Sequence, residues 1–287
     1  MSEPARPAPG LHLVATPIGR ARDITLHALD VLAGADTLAC EDTRSLRRLM
    51  QIHGLGRAGR PLLSYHDQSA PAVRTRLLGD LAAGRTVAYA SEAGSPLIAD
   101  PGYRLVREAI EAGHSVHAAP GPSAPIAALS VAGLATDRAL FAGFPPHARA
   151  ARRRWLQDIA AVPATLVILE SPRRVSDLLA DMTECLGAER RMALCREMTK
   201  RHEETRRGTI AELREALAGT EPRGEIVLVV ERAPERPEQS EDMMEEMLMS
   251  ELASHRLSDA VARVSRATGL PRRRVYSRAL QLREDER

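Results

Sequence analysis

Short apolar runs alternate with amphipathic stretches along the first 119 residues of the chain. The runs are rich in Val, Leu and Ala, which suits strands that are buried on both faces, and the intervening stretches carry apolar residues at helical spacing. This alternation predicts a mostly parallel sheet with crossover helices. The predicted strands cover residues 11–14, 37–40, 62–65, 87–90 and 115–119.

The alternation continues into a second predicted α/β unit. After residue 231 the sequence becomes polar and the alternation ends. The predicted strands of this unit cover residues 139–143, 165–169, 192–196, 203–208 and 226–230. A polar segment with two prolines follows residue 231 and is typical of a linker. Beyond it, helical spacing over 257–264, a Gly-Leu-Pro turn at 269–271 and an arginine-rich stretch over 272–282 predict a helix-turn-helix module. A small helical cap packed on the body is the alternative.

With 287 residues the chain exceeds a usual single domain. We expect an α/β protein of two domains with an additional helical module. The expected boundaries are a disordered tail over 1–10, α/β domains over 11–122 and 123–232, a linker over 233–242 and the helical module over 243–287.

Three loops rich in glycine and proline follow predicted strands of the first unit. They cover residues 15–19, 91–102 and 120–124, and Ser123 of the last loop is expected to cap the helix after it. Glycine and proline interrupt regular structure there and leave backbone amides bare, which favours an anionic or zwitterionic small molecule. Each loop alone is equally compatible with an ordinary strand-to-helix turn. Together they predict a pocket at the carboxyl ends of the strands.

Composition and charge narrow the classes of function. The net charge of +2 is too small to indicate a nucleic-acid partner, but arginines cluster locally, and such clusters either contact phosphates or cover solvated helix faces. The three cysteines lack metal-ligand spacing and cannot all pair, so we expect a reducing, cytoplasmic location and no metal. The N-terminal residues resemble no signal peptide, and no run is long enough to span a membrane. The arginine clusters lie at 149–154, 173–174, 206–207 and 272–274.

Several motifs in the chain together resemble those of one enzyme family. The motifs are LHLVATPIGRARDIT at 11–25, ACEDTR at 39–44, SYHD at 64–67, SEAGSPLIADPG at 91–102, PGPSA at 120–124, REMTK at 196–200 and GEIVLVVE at 224–231. The chain resembles the ribosomal RNA small subunit methyltransferase I family of the tetrapyrrole methylase superfamily, over nearly its whole length. The resemblance implies two α/β domains with the cofactor cleft between them and a C-terminal helix-turn-helix module. It also implies methylation of a ribose 2′-hydroxyl on a decoding-centre cytidine of 16S rRNA, with S-adenosylmethionine as donor.

The resemblance also implies which residues bind the donor and the RNA. Expected donor contacts are Pro17, Ile18, Ala93, Ser95, Ile98, Ser123, Ala124, Glu170 and Met198. Expected RNA contacts are Asp42, Arg44, Arg173, Arg272, Arg273 and Arg274, although Asp42 and Arg44 also suit a structural ion pair or helix cap. The sequence departs from the family pattern at Glu92, Ser95 and Arg173, where aspartate, threonine and histidine are more usual.

The chemistry of ribose methylation requires a group that takes the proton of a weakly acidic hydroxyl. Lysine can do so if its pKa is lowered, whereas arginine cannot lose a proton in a protein. Lys200, the only lysine of the chain, is therefore the first candidate. The other candidates are Glu197, Asp100, Glu170 and Glu41.

Two other functions remain open from the sequence. One is methylation of a tetrapyrrole by the same fold, and the other is a non-enzymatic helix-turn-helix regulator that binds DNA. The chain has only two Phe, four Tyr and one Trp, so a broad stacking platform for single-stranded RNA is not expected. We therefore expect the RNA partner to be the assembled small ribosomal subunit, and the sequence leaves a homodimer open.

Overall fold

The computed structural model describes residues 6–66, 70–220, 222–233, 241–268 and 270–285. They form two compact units, of which the first ends at Arg232 and the second begins at Ala233. The first unit contains two five-stranded sheets and the second is helical. The predicted α/β class with an additional helical module is confirmed.

The first sheet is parallel throughout and has the order β3-β2-β4-β1-β5. Every residue of β2 and β4 is buried, because helices cover both faces of these central strands. Leu38 and Ala88 face one side, with α1 and α2, while Val87 and Tyr89 face the other, with α3 and α4. The elements are β1 Gly10–Val14, α1 Leu26–Gly34, β2 Thr37–Cys40, α2 Thr43–Ile52, β3 Leu62–Ser64, α3 Pro71–Ala82, β4 Thr86–Ala90, α4 Tyr103–Glu111 and β5 Val116–Ala119.

Residues 6–10 are held against this sheet in place of the disordered tail predicted over 1–10. The Arg6 guanidinium pairs with Asp36 at 2.9 Å, and the Thr86 hydroxyl donates to the carbonyls of Pro7 and Ala8 at 3.2 and 3.1 Å. Residues 1–5 lie outside the described residues.

The second sheet is mixed and has the order β6-β7-β10-β8-β9. Only β6 and β7 run parallel, and the other neighbours are antiparallel. The last strand of the unit, β10, inserts between β7 and β8, so its five residues are all buried. The elements are α5 Ala124–Ala132, β6 Ala139–Gly143, α6 Arg149–Ala160, β7 Thr165–Glu170, α7 Val175–Leu186, β8 Arg191–Arg196, β9 Glu204–Thr209, α8 Ile210–Ala216 and β10 Ile226–Val230.

The second unit consists of helices α9 Glu241–Ser254, α10 Leu257–Thr268 and α11 Arg272–Asp285. Leu248, Val264 and Val275 are fully buried in its core, and Arg278 pairs with Glu245 on its surface. The two helices predicted on either side of the 269–271 turn are present, although Gly269 itself and linker residues 234–240 lie outside the described residues. Within the described residues, no helix has the length and apolar character needed to cross a bilayer.

Candidate functional site

The three loops predicted from their glycine and proline content lie side by side at the carboxyl ends of β1, β4 and β5. Thr16 and Gly94 exchange backbone hydrogen bonds, both at 3.0 Å, which joins the first loop to the second. The Ser95 hydroxyl donates to the carbonyl of Pro122 at 3.3 Å and joins the second loop to the third. The loops therefore form one connected surface, at the edge of the sheet where ligands of α/β proteins bind.

This surface forms one wall of a cleft of about 820 Å³, and loops of the second sheet form the other wall. The cleft contains most residues predicted for the donor and for catalysis. They are Pro17, Ile18, Glu41, Ala93, Ser95, Ile98, Asp100, Ser123, Ala124, Glu170 and Lys200.

The second sheet also contributes cleft residues that the sequence reasoning missed. Phe144 follows β6 and is 56% exposed, and Glu225 precedes β10. A signal was present for Phe144, since one of only two phenylalanines stands in a Gly-Phe-Pro-Pro segment directly after a predicted strand. Such segments interrupt strands in the same way as the three loops of the first sheet.

Lys200 lies in a turn after β8 and is held by two carboxylates. Its Nζ is 3.0 Å from Oε1 of Glu197 and 3.2 Å from Oε2 of Glu225. Burial favours the neutral amine, but the hydrogen bonds and charges of the two carboxylates outweigh burial and raise the pKa of Lys200. A general base needs the opposite shift, so this environment does not suit the catalytic role predicted for Lys200.

Glu197 is engaged in the same turn. Burial disfavours its charged form, but its Oε1 also accepts the backbone N–H of Glu225 at 3.0 Å, and with Lys200 this lowers the pKa of Glu197. Gly224 makes the contact feasible, because any Cβ there would collide with the Glu197 carboxyl group. Glu197 is thus a fixed counter-ion rather than an open proton acceptor.

Gly19 allows the first loop to approach this turn closely. A Cβ on Gly19 would lie within 2.7 Å of Cγ of Lys200 and would collide with the Thr199 hydroxyl. That hydroxyl also accepts the backbone N–H of Arg20 at 3.2 Å. The absence of a side chain at position 19 therefore lets the two walls of the cleft meet.

The substitution Gly19→Ala is expected to destabilise the first unit by about 1–3 kcal/mol, the usual cost of overpacking a tight contact. Gly79→Ala is the matched control, because Gly79 lies exposed in α3 with open space around its Cα. It should instead stabilise by about 0.5–1 kcal/mol, the helical preference for Ala over Gly. Urea unfolding of both variants measures the difference, and equal stabilities would contradict the contact.

Asp100 differs from the cleft carboxylates of Glu170 and Glu225 because it has no cation partner among the described residues. Its Oδ2 is buried and has no hydrogen-bond partner among the described residues, while the backbone N–H of Glu92 bonds to the carboxyl group. Burial and the negative charges of Glu41 and Glu92 raise the pKa of Asp100 to about 6. A carboxylate with a pKa near the working pH is suited to accept a proton.

The loop around Asp100 is held in an unusual conformation. Leu97 and Ala99 both have positive φ, at 68° and 57°, which costs energy for residues with a Cβ. The Tyr89 hydroxyl donates to the carbonyl of Pro101 at 2.9 Å and fixes the residue after Asp100. Backbone strain next to a buried polar atom that has no partner among the described residues is typical of functional loops.

Three residues predicted to bind the donor have environments different from those expected. Met198 is 7% exposed and packs in a hydrophobic core, so it lies behind the cleft wall. Glu170 lines the cleft, but its carboxylate pairs with Arg174 at 2.8 Å. Ser123 occupies the N-cap position of α5, although its side chain makes no capping hydrogen bond and is thus available to a ligand.

The residues predicted to contact RNA are distributed over both units. Asp42 caps α2 by accepting the backbone N–H of Arg44 at 2.8 Å and also pairs with its guanidinium, as the structural alternative predicted. Arg173 is exposed next to the cleft residue Pro172. Arg272, Arg273 and Arg274 are exposed at the start of α11 in the second unit.

Neither thiol chemistry nor a protein-ligated metal is suggested by the described residues. Burial raises the pKa of Cys40 to about 12 and also raises the pKa of Cys185 and Cys195, so all three remain protonated thiols. Among the described residues, no three His, Cys, Asp or Glu side chains are grouped to hold a metal ion.

Comparison with known proteins gives consistent matches over both units. Residues 10–214 match the family model of the tetrapyrrole (corrin/porphyrin) methylases, and residues 237–283 match that of the RsmI C-terminal HTH domain. The chain is 45% identical to ribosomal RNA small subunit methyltransferase I of Mesorhizobium japonicum, covering 98% of this chain and 95% of that protein. It is 41% identical to the protein of the same name from Pseudomonas aeruginosa, and the match covers 94% of this chain and 96% of that protein.

Among solved structures, uroporphyrin-III C-methyl transferase from Thermus thermophilus complexed with S-adenosyl homocysteine has a similar fold. The TM-score is 0.53 at 20% identity, and the match covers 77% of this chain and 97% of that one.

Proposed function

Because the chain belongs to the ribosomal RNA small subunit methyltransferase I family, within the tetrapyrrole methylases, we propose that it methylates a ribose of 16S rRNA. The acceptor is the 2′-hydroxyl of a decoding-centre cytidine in the small ribosomal subunit, and the donor is S-adenosylmethionine. The observation that carries this proposal is Asp100, a carboxylate that has no cation partner among the described residues and lies in a cleft suited to the donor. The proposed site of action is the cytoplasm.

The residues of the cleft fit S-adenosylmethionine. Ile18 and Ile98 supply apolar contacts. A carboxylate can bind the backbone amides at the start of α5 and the side chain of Ser123, which makes no capping hydrogen bond. The carboxylates of Glu41, Glu92 and Asp100 favour a cation in the same space. When bound, the donor supplies a methyl group on a sulfonium, and its transfer to a hydroxyl oxygen breaks the S–C bond, forms an O–C bond and releases the hydroxyl proton.

Asp100 is the proposed acceptor of that proton. Its Oδ2 has no competing partner among the described residues, whereas Lys200, Glu197 and Glu170 are all held in ion pairs. Lys200 remains a cation between Glu197 and Glu225 and fixes the turn that meets Gly19. In this proposal the chain itself positions the two substrates and takes up one proton.

The other functions left open by the sequence are not favoured. Relatives 38–45% identical over nearly the whole chain carry the name of an rRNA methyltransferase, whereas the uroporphyrin-III C-methyl transferase structure is only 20% identical and shows a similar fold alone. Incubation with labelled donor and, separately, small subunits or a porphyrinogen distinguishes the acceptors. We expect label in RNA only, and label in the macrocycle would contradict the proposal. A DNA-binding regulator would bind duplex DNA and no donor.

The substitution Ser123→Asp is expected to weaken binding of S-adenosylhomocysteine roughly tenfold or more, because it places a carboxylate next to that of the ligand. Aspartate is a good N-cap, so the fold should be retained. Ser130→Asp is the matched control, since Ser130 is exposed on the same helix and does not line the cleft. Calorimetry measures both affinities, and equal values would remove Ser123 from the donor site.

A further inference from the structure

A second cavity of about 210 Å³ opens next to the cleft and shares part of its wall. We call it the side cavity. Pro17, Gly19, Ser45 and Glu92 line both spaces. The remaining lining includes Ala21, which belongs to a short 3-10 helix after the first loop, and residues of α2. The side cavity is therefore a branch of the proposed active site. Neither the donor nor the proton acceptor has been assigned to it.

The size and surface of the side cavity suit a single nucleobase. Its volume equals that of about seven water molecules, enough for one heterocyclic ring. Leu46, Leu49 and Ile52 supply apolar contacts to a ring face. Ser45 and Glu92 place oxygen acceptors at the shared wall, which suits a base with an exocyclic amino group.

The rim of the side cavity carries a cation without a carboxylate partner among the described residues. Arg48 lines the cavity and is exposed, and no ion pair links it to a described carboxylate, whereas Arg44 one turn earlier on α2 pairs with Asp42. Arg22 is exposed in the adjacent 3-10 helix, which is tied to the end of α2 by a hydrogen bond of 2.9 Å between His53 Nε2 and the carbonyl of Ala21. An exposed, unpaired guanidinium at the mouth of an apolar cavity is well placed for a phosphate.

We propose that the side cavity binds the base of the nucleotide that is methylated and that Arg48 binds a backbone phosphate next to it. This inference rests on the proposed function and assigns its nucleotide site. The shared wall directs the ribose into the cleft beside Asp100, whose carboxyl group is bonded to the backbone N–H of Glu92. Glu92 therefore takes part in both functions: its side chain lies at the base site, and its backbone N–H bonds to the proposed proton acceptor.

Two variants test the two parts of the nucleotide site. Ala21→Leu fills the side cavity without touching the cleft, because Ala21 lines only the side cavity. Arg48→Ala removes the cation. Each should raise KM for small subunits roughly tenfold, with kcat, melting temperature and affinity for S-adenosylhomocysteine close to wild type. Arg48→Ala should also reduce the slope of log KM against log salt by about one.

Arg76→Ala is the matched control, since Arg76 is exposed on α3, on the opposite face of the first sheet, and should leave KM unchanged. An unchanged KM in Ala21→Leu, or a loss of its affinity for S-adenosylhomocysteine, would overturn the base site. Activity of the wild type on small subunits would still support the proposed function in that case. Absence of transfer by the wild type would overturn the proposed function and the base site with it.

The class of base has its own test with the wild-type enzyme. Small subunits that carry uridine in place of the methylated cytidine lack the exocyclic amino group. Their kcat/KM should fall roughly tenfold to a hundredfold relative to unaltered subunits. Equal kcat/KM values for the two particles would overturn recognition of the amino group.

Discussion

The substitution Asp100→Asn should lower the single-turnover rate of methyl transfer by roughly 10²-fold to 10⁴-fold, the usual contribution of a general base. Asparagine keeps the shape of the side chain but accepts no proton at its amide. Donor affinity should change little. Asp158→Asn, an exposed residue of α6, is the matched control and should retain the wild-type rate.

The same variant separates a catalytic role from a structural one. The pKa of Asp100 in the folded chain is raised from 3.8 to about 6 by burial and by Glu41 and Glu92, so the folded state holds this proton more tightly than the unfolded state. The group therefore contributes stability below about pH 4, and the contribution is lost as the pH rises through about 6. At pH 7 Asp100→Asn should melt at the same temperature as wild type or higher, while its activity is lost.

The dependence of kcat/KM on pH is a second test of which residue accepts the proton. We expect kcat/KM of the wild type to rise through about pH 6 as Asp100 loses its proton, since this parameter reports the free enzyme. Lys200→Arg retains the cation between its two carboxylates and should retain most of the rate. A near-normal rate in Asp100→Asn together with loss of rate in Lys200→Arg would instead identify Lys200 as the base.

The second large effect is expected from deletion of residues 241–287, which should weaken binding to small subunits by roughly tenfold or more. Arg272, Arg273 and Arg274 are exposed at the start of α11, where they can contact phosphates. The cleft lies in the first unit, which is compact without the deleted residues. The affinity of the deletion variant for S-adenosylhomocysteine should therefore be unchanged.

A triple Arg→Gln variant at positions 272–274 keeps the helical unit and isolates the charge. It should reproduce much of the loss and should reduce the salt dependence of particle binding. Loss of donor affinity in the deletion variant would contradict the separation of the two roles.

Most strand positions could be predicted from the sequence because most of the strands are short apolar runs bounded by turn residues. β4 is an example, since its buried residues continue directly into the Gly- and Pro-rich loop of the cleft. The pairing in the second sheet could not be predicted in this way. Whether β10 lies at an edge or between β7 and β8 depends on side-chain packing across the sheet, and a local apolar run carries no information about it.

The three cleft loops could be predicted for the same local reason, but the electrostatic state of their residues could not. Lys200 looked like a base because it is the only lysine, yet Glu225, which is distant in sequence, helps to keep it charged. The raised pKa of Asp100 likewise depends on Glu41, which a different strand brings into the cleft. Such shifts arise from tertiary neighbours, and a single sequence does not show them.

The most direct test is single-turnover transfer of a labelled methyl group from S-adenosylmethionine to purified small ribosomal subunits, followed by mapping of the labelled nucleotide. Wild-type enzyme and Asp100→Asn are compared at equal, saturating donor concentration. We predict that the wild type places the label on the ribose 2′-oxygen of one decoding-centre cytidine and that Asp100→Asn, although folded and donor-bound, places almost none there. Label on a base, label on a macrocycle in place of RNA, or equal labelling by the two enzymes would contradict the proposed reaction and its proton acceptor.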